Sequence, residues 1–291
     1  MSLAGKTMFM TGGSRGIGLA IALKAARDGA NVAIAAKTAV PHRHLPGTIY
    51  SAADEIEAAG GRALPLIVDV RDHDAVKRAV DETAETFGGI DVCLNNASAI
   101  DLQGTLATEV KRYDLMHQIT ARGSWVTSRA CIPYLKQAAN PHILNMSPPI
   151  DLNPKWLGKH VAYTAAKYVM SMWTIGMAEE FKDDGIAVNS LWPRTGIATA
   201  AIEFAVSGQE GLRRCRTVDI MADAAYAILT KPSRAFTGRF LIDDTVLWEA
   251  GERDFDKYRV DPTCDLGTGD YMIPADMPPP PGVSLRALRP A

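Results

Sequence analysis

Cysteine is scarce in this chain. Four are present in 291 residues, Cys93, Cys131, Cys215 and Cys264, scattered with no Cys-x2-Cys pair. That argues against a disulfide framework and a structural zinc site, and for a reducing compartment. Charge of one sign is lacking too: 31 Lys and Arg stand against 33 Asp and Glu, a net of −2. A nucleic-acid surface would need a basic excess, so none is expected. No stretch of about 18 uncharged apolar residues occurs, which predicts no membrane span. The opening Met1-Ser2-Leu3-Ala4-Gly5-Lys6 lacks the apolar core of a secretion signal. A cytoplasmic protein is the expectation. His42 and His44 have metal-clamp spacing, but Pro41 to Gly47 reads as a loop, so no metal is expected. No internal repeat is visible beyond an alternation of strands and helices.

What is present suits one large, ordinary α/β domain, with 47% hydrophobic and 22% charged residues. Apolar runs predict strands at 6–11, 31–36, 63–68, 91–95, 141–146, 186–192 and 237–242. Helical patterns fall at 16–28, 48–59, 72–86, 109–138, 161–182 and 220–230. Such alternation predicts a doubly wound parallel sheet of about seven strands with helices on both faces. Asp72 reads as an N-cap, and Gly88-Gly89 as the end of the same helix. From Asp243 onward the periodicity fades. Residues 1–245 are expected to form the domain and 246–291 an aromatic and Pro-rich tail. Trp248, Phe255, Tyr258 and Tyr271 make 244–275 too aromatic for a free linker, so it should lie on the body or on a neighbouring subunit. The last ten or so residues are expected to be disordered, with Met277 to Gly282 extended.

Two local patterns carry chemistry. A strand over 6–11 leads into Gly12-Gly13-Ser14-Arg15-Gly16-Ile17-Gly18 and then a helix. Glycines allow a tight turn and close backbone approach, and a helix N-terminus attracts phosphate. The second pattern is Tyr163-Thr164-Ala165-Ala166-Lys167. Four residues on a helix bring phenol and ammonium to one face. A free Tyr has a pKa of about 10. A nearby cation favours the phenolate and suits the group to proton transfer at a carbonyl or alcohol oxygen. Taken alone, the spacing also fits a packed Tyr beside a solvated Lys. Past the second strand, Lys37-Thr38 stands where an acid would bond a ribose 2′-hydroxyl. With Arg15, that cation suits a 2′-phosphate; the alternative reading is a pair of solvated surface charges.

These motifs together resemble the short-chain dehydrogenases/reductases over residues 1 to about 245. They are Thr11-Gly12-x3-Gly16-Ile17-Gly18, Asn95-Asn96-Ala97-Ser98 and Tyr163-x3-Lys167. Within the family, Ala35–Thr38, Gly47–Tyr50, Asn95–Ile100, His142–Pro149 and Ala178–Phe181 narrow the resemblance to one branch. Its members also carry a C-terminal sterol-carrier domain, which a chain of this length is expected to lack.

The resemblance implies an NADP(H)-dependent oxidoreductase that interconverts an alcohol and a ketone or aldehyde, with NAD the less favoured cofactor. Tyr163 would move the proton, with Lys167 lowering its pKa and holding the nicotinamide ribose. Gly12, Ser14, Arg15, Gly16, Ile17, Gly18 and Lys37 would hold the phosphates. Asp69-Val70 would meet the adenine, though Asp69 is equally readable as a turn acid. Asn96-Ala97 would pass the ribose, and Pro193 and Thr195 the carboxamide. Family members usually pair through two long helices, so a homodimer or homotetramer is expected. The substrate would be a small apolar molecule, with Met146, Trp156, Met170, Met172 and Trp192 as candidate pocket residues.

Three departures accompany the match. The family serine ends the fifth strand. Here Ser147 precedes Pro148 and sits farther from Tyr163 than usual, so a substrate-oxygen donor is in question. Thr120 replaces the family's relay Asn. Arg194 replaces the Gly of a Pro-Gly pair. The Ser147 and Thr120 changes motivate an alternative, a weakly active or inactive NADP(H)-binding protein with a lipid or partner role.

Overall fold

The computed structural model describes residues 1–41, 45–204, 208–267, 271–283 and 285. Seven parallel strands form one sheet in the order β3-β2-β1-β4-β5-β6-β7. They are β1 (Thr7–Thr11), β2 (Asn31–Ala36), β3 (Arg62–Ile67), β4 (Val92–Asn95), β5 (His142–Asn145), β6 (Ala187–Trp192) and β7 (Phe240–Ile242). The inner strands are buried and largely apolar because both faces are covered; every residue of β1 is buried. Pro65 is tolerated because β3 lies at the sheet edge.

Helices α1 (Gly16–Arg27) and α2 (Ile49–Ala58) cover one face. Helix α3 (His73–Phe87), the second half of a long helix and α7 cover the other. The long helix runs through α4 (Val110–Met116), a π-helical stretch His117–Arg122 and α5 (Gly123–Leu135). Short α6 (Pro154–Leu157) precedes α7 (Val161–Glu180). Then come α8 (Ala200–Ile202), α9 (Gly208–Leu212), α10 (Asp219–Leu229) and α11 (Asp243–Glu249). Local signals hold at α3: the Asp72 carboxylate accepts from the Asp74 and Ala75 amides, and Gly88 ends the helix at φ 84°.

Two features differ from the sequence expectation. The π-helical turn inside 109–138 leaves no mark on apolar periodicity, since it shifts one hydrogen-bond register only. Helix α11 begins where periodicity fades. Its seven residues are too few to show a period, and its first turn is anchored by buried charge instead.

Phe255 and Tyr258 of the tail are buried, and Trp248 packs against the same core as α1 and α10. Tyr271 and Met272 pack around Tyr163. The segment therefore lies on the body, as its aromatic content predicts. His42 and His44, and most of the last ten residues, lie outside the described residues. No helix among the described residues is long and apolar enough to cross a membrane.

Candidate active site

The strand order reverses between β1 and β4, and a doubly wound sheet opens a crevice at the carboxyl ends of its strands there. A cleft of about 1350 Å³ lies at this place. It is lined by Gly12, Ser14, Arg15, Gly16, Ile17, Gly18, Lys37, Asp69, Val70, Asn96, Ala97, Tyr163, Lys167, Pro193 and Thr195. Residues as far apart as 12 and 195 thus share one surface because the parallel strands all end on the same side.

The glycine turn is built for close approach. Gly12 has φ 71°, which an L side chain rarely adopts. A Cβ on Gly18 would lie 2.6 Å from the Gly12 carbonyl and 2.7 Å from Asn96 Nδ2. Asn96 Nδ2 donates to the Gly12 and Thr11 carbonyls at 2.8 and 3.2 Å. The Asn96 and Ala97 amides donate to Thr11 Oγ1 at 3.2 and 3.1 Å. Asn96 therefore braces the turn. Asn95 below it joins a buried network: its Nδ2 donates to Ser128 Oγ and Asn145 Oδ1, both at 2.8 Å.

At the outer end of the cleft, Arg15 Nη2 donates to the Gly47 carbonyl at 2.9 Å. Its Nε is buried and has no partner among the described residues, and burial lowers the guanidinium pKa. Lys37 is exposed and lines the same cleft. Asp69 is held below the usual carboxylate range, chiefly by Arg71, whose Nε and Nη2 reach the carboxylate at 2.9 and 2.6 Å.

At the inner end lie Tyr163 and Lys167, both buried. Lys167 Nζ donates to the Met146 carbonyl at 2.9 Å and sits 5.5 Å from the Trp192 ring centroid. Burial pulls the Lys167 ammonium down to about 7. Burial pushes the Tyr163 phenol up, and Tyr271 adds to this. The shift runs opposite to the one expected from the Tyr-x3-Lys spacing. Both groups lie out of water, and the loss of solvation disfavours each charged form.

Ser147 is not brought to this cleft. It is fully buried, and its hydroxyl has no hydrogen-bond partner among the described residues. Thr120 lies in the π-helical turn. Its hydroxyl accepts the Ala99 amide at 3.2 Å and pairs with Ser98 Oγ at 3.2 Å, so it ties the long helix to the loop after β4. Among the candidate pocket residues, Met146 and Trp192 line the cleft. Trp156 packs with Tyr163 and Tyr271, Met170 is fully buried in the core, and Met172 is exposed.

Sequence reasoning left three contributors unassigned. Tyr271 and His160 line the cleft beside Tyr163. Arg194 turns away from it. Its Nε binds both oxygens of Asp244 at 2.7 and 2.8 Å, and its Nη groups donate to Thr245 Oγ1 and the Met277 and Pro278 carbonyls. Arg216 Nη1 joins Asp244 at 3.1 Å. Burial, then Asp244, raises the Asp243 carboxyl to about 6. The loop carrying Pro193 and Thr195 is thereby fastened to α11 and to the tail. The one sequence signal was the Arg in place of Gly, together with the Asp243-Asp244 pair.

A family model described as short chain dehydrogenase matches residues 6–207. Hydroxysteroid dehydrogenase-like protein 2 from Danio rerio is 61% identical over 260 residues, 89% of this chain and 62% of that protein. The chain thus spans less than two thirds of this relative's length. A solved short chain dehydrogenase from Mycobacterium thermoresistibile is 53% identical with TM-score 0.90, covering 98% of this chain and 100% of that one. A metagenomic short-chain oxidoreductase solved in complex with NADP is 26% identical with TM-score 0.68, covering 83% of this chain and 98% of that one.

Proposed function

We propose a reaction for this chain, which belongs to the short-chain dehydrogenase family: NADP(H)-dependent interconversion of an alcohol and a ketone or aldehyde. The observation that carries it is the shared cleft, lined by Tyr163 and Lys167 together with the glycine turn, Arg15 and Lys37. The residues fit a dinucleotide: a Cβ on Gly12 or Gly18 would collide with Asn96, Ala97 or the Gly12 carbonyl, so only glycine allows the tight turn that brings backbone amides and the α1 N-terminus to a phosphate. Arg15, whose buried Nε has no partner among the described residues, and Lys37 favour a 2′-phosphate over a bare 2′-hydroxyl. Asp69, Val70, Asn96 and Ala97 would flank the adenine and its ribose, and Pro193 and Thr195 the nicotinamide.

NADPH, when bound, supplies the hydride to the carbonyl carbon. Tyr163 donates its phenolic proton to the substrate oxygen, and the reverse transfer serves alcohol oxidation. Burial keeps the phenol protonated, the state that carbonyl reduction requires. Lys167, held by the Met146 carbonyl, is the cation that stabilises the phenolate after the proton leaves. Exposed Trp125 on α5 with Met172 and Ile175 on α7 offers apolar surface for a homodimer through these helices. Four free thiols suit a reducing, cytoplasmic setting.

The test is NADPH oxidation over a panel of carbonyls, from short aldehydes to steroids and acyl chains. Tyr163→Phe should bind NADPH nearly as the wild type does and lose most turnover. Near-normal turnover by that variant would refute the mechanism. The buried Ser147, absent from the cleft, favours a second reading as a weakly active or inactive NADP(H)-binding protein with a lipid or partner role. A missing oxyanion-type donor commonly costs about 10²–10³ in rate. NADPH binding with no turnover of any carbonyl would favour that reading.

A further inference from the structure

We propose that Tyr271, supplied by the tail, is a specificity-determining residue: it walls the approach to Tyr163 and restricts the substrate to single-ring or short-chain apolar carbonyls and alcohols. The proposal rests on the oxidoreductase activity proposed above.

Tyr271 lies 108 residues after Tyr163, yet their rings are stacked, with centroids 6.4 Å apart and planes at 12°. A substrate ring slid between them would need two carbon contacts of about 3.5–4.0 Å each, or about 7–8 Å in all. The observed separation is smaller, so no ring, single or fused, can lie between the two phenols while Tyr271 stays in place. A ketone must reach Tyr163 past the edge of Tyr271, and a broader fused-ring body meets more of that wall than a single ring does. To come as close, the broader body would have to displace Tyr271.

Displacement is opposed at several points. The Tyr271 hydroxyl pairs with Thr164 Oγ1 at 2.9 Å, one residue past Tyr163. Its carbonyl accepts from Trp192 Nε1 at 3.0 Å. The next residue, Met272, has φ 60° and a fully buried side chain. Left-handed backbone at a non-glycine residue persists only where its surroundings hold it. Farther on, Arg194 grips the Met277 and Pro278 carbonyls. Trp192 and Arg194 flank Pro193, so the loop that borders the cleft on one side holds the tail with the other.

The wall also has a polar edge. His160 lines the cleft with its ring edge-on to Tyr271 at 5.6 Å. Its Nδ1 is buried with no partner among the described residues. A polar atom on the substrate, placed beside the reacting carbonyl, would satisfy that nitrogen.

Cyclohexanone and the fused-ring 2-decalone are the probes. NADPH oxidation gives kcat/KM for each, and calorimetry gives the affinity of each ketone for the NADPH complex. The wild type should prefer cyclohexanone. Tyr271→Ala should raise the decalone-to-cyclohexanone ratio about tenfold or more, the scale of a pocket that gains or loses a few carbons. Tyr271→Phe keeps the ring and should keep the ratio. Tyr271→Trp should lower it, which guards against Tyr271→Ala acting by loosening the fold. NADPH affinity should stay within about twofold of wild type in all three, since this wall faces the substrate. A ratio that Tyr271→Ala and Tyr271→Trp both leave unchanged overturns the proposal. If the ketones bind but none is reduced, the activity fails and the binding ratio alone judges the wall. If neither ketone binds to wild type or to Tyr271→Ala, the proposal is overturned.

Discussion

Arg194→Ala should cost more stability than any exposed charge change in this protein. Arg194 is 2% exposed, and its guanidinium makes bonds to the Asp244 carboxylate, Thr245 Oγ1 and two tail carbonyls. Removing one partner of a buried ion pair usually costs about 3–5 kcal/mol, because the other charge is left uncompensated. Asp244 retains Arg216 at 3.1 Å, which places the loss at the low end, about 3 kcal/mol. At about 2–4 °C per kcal/mol for chains of similar size, the midpoint should fall by about 6–12 °C. Arg194→Lys keeps a charge but lacks the planar fork that spans a carboxylate and two carbonyls, so it should recover only part of the loss. A double-mutant cycle with Asp244→Ala should show coupling above about 0.5 kcal/mol. Thermal melting and urea titration supply the stabilities, and limited proteolysis reports whether the tail has come free. A fall below about 2 °C for Arg194→Ala, with the tail still resistant, would refute the idea that this arginine holds loop and tail together.

Cofactor choice is tested by Lys37→Asp, which should erase or reverse the preference for NADPH over NADH; one charge-assisted contact is worth about 1.5–3 kcal/mol, and equal affinities in the wild type would contradict the assignment. Ser147→Ala should leave kcat unchanged and stability equal or slightly higher, because the hydroxyl is buried, unpaired among the described residues and outside the cleft; a large fall in kcat would show that the hydroxyl reaches the substrate. Lys167→Met should abolish turnover yet raise the melting temperature of the cofactor-free protein. The folded pKa of Lys167, about 7, lies below its ordinary 10.5, so between those values the unfolded chain holds more protons and stability climbs with pH. The gain from Lys167→Met should therefore be largest at or below about pH 7 and shrink toward about pH 10, and a gain independent of pH would contradict the buried-ammonium account.

The sequence by itself determined whatever depends on neighbours a few residues away. Continuous apolar runs marked strands buried on both faces, and β1, the glycine turn and α1 follow one another with no long-range help. Asp72 and Gly88 cap α3 through bonds to amides and carbonyls within one turn. Tyr163 and Lys167 share a face because a helix repeats every few residues, and the strand-helix alternation made the parallel sheet legible, along with the cleft end where its motifs meet.

Only the tertiary structure decided how charges and rings are paired across long separations. Arg194 meets Asp244 fifty positions on; the Arg in place of Gly and the acidic pair are each visible in the sequence, but not that they meet. Tyr271 covers Tyr163 through a tail whose aromatic content predicted burial but not its place. The π-helical turn that carries Thr120, hydrogen-bonded to the loop after β4, has no signature in the apolar periodicity. The directions of the Tyr163 and Lys167 shifts likewise belong to the fold. Spacing put a cation beside a phenol and predicted a lowered phenol pKa, but burial removes water from both groups. Desolvation is a property of everything packed around a residue, and for that reason a short motif cannot carry it.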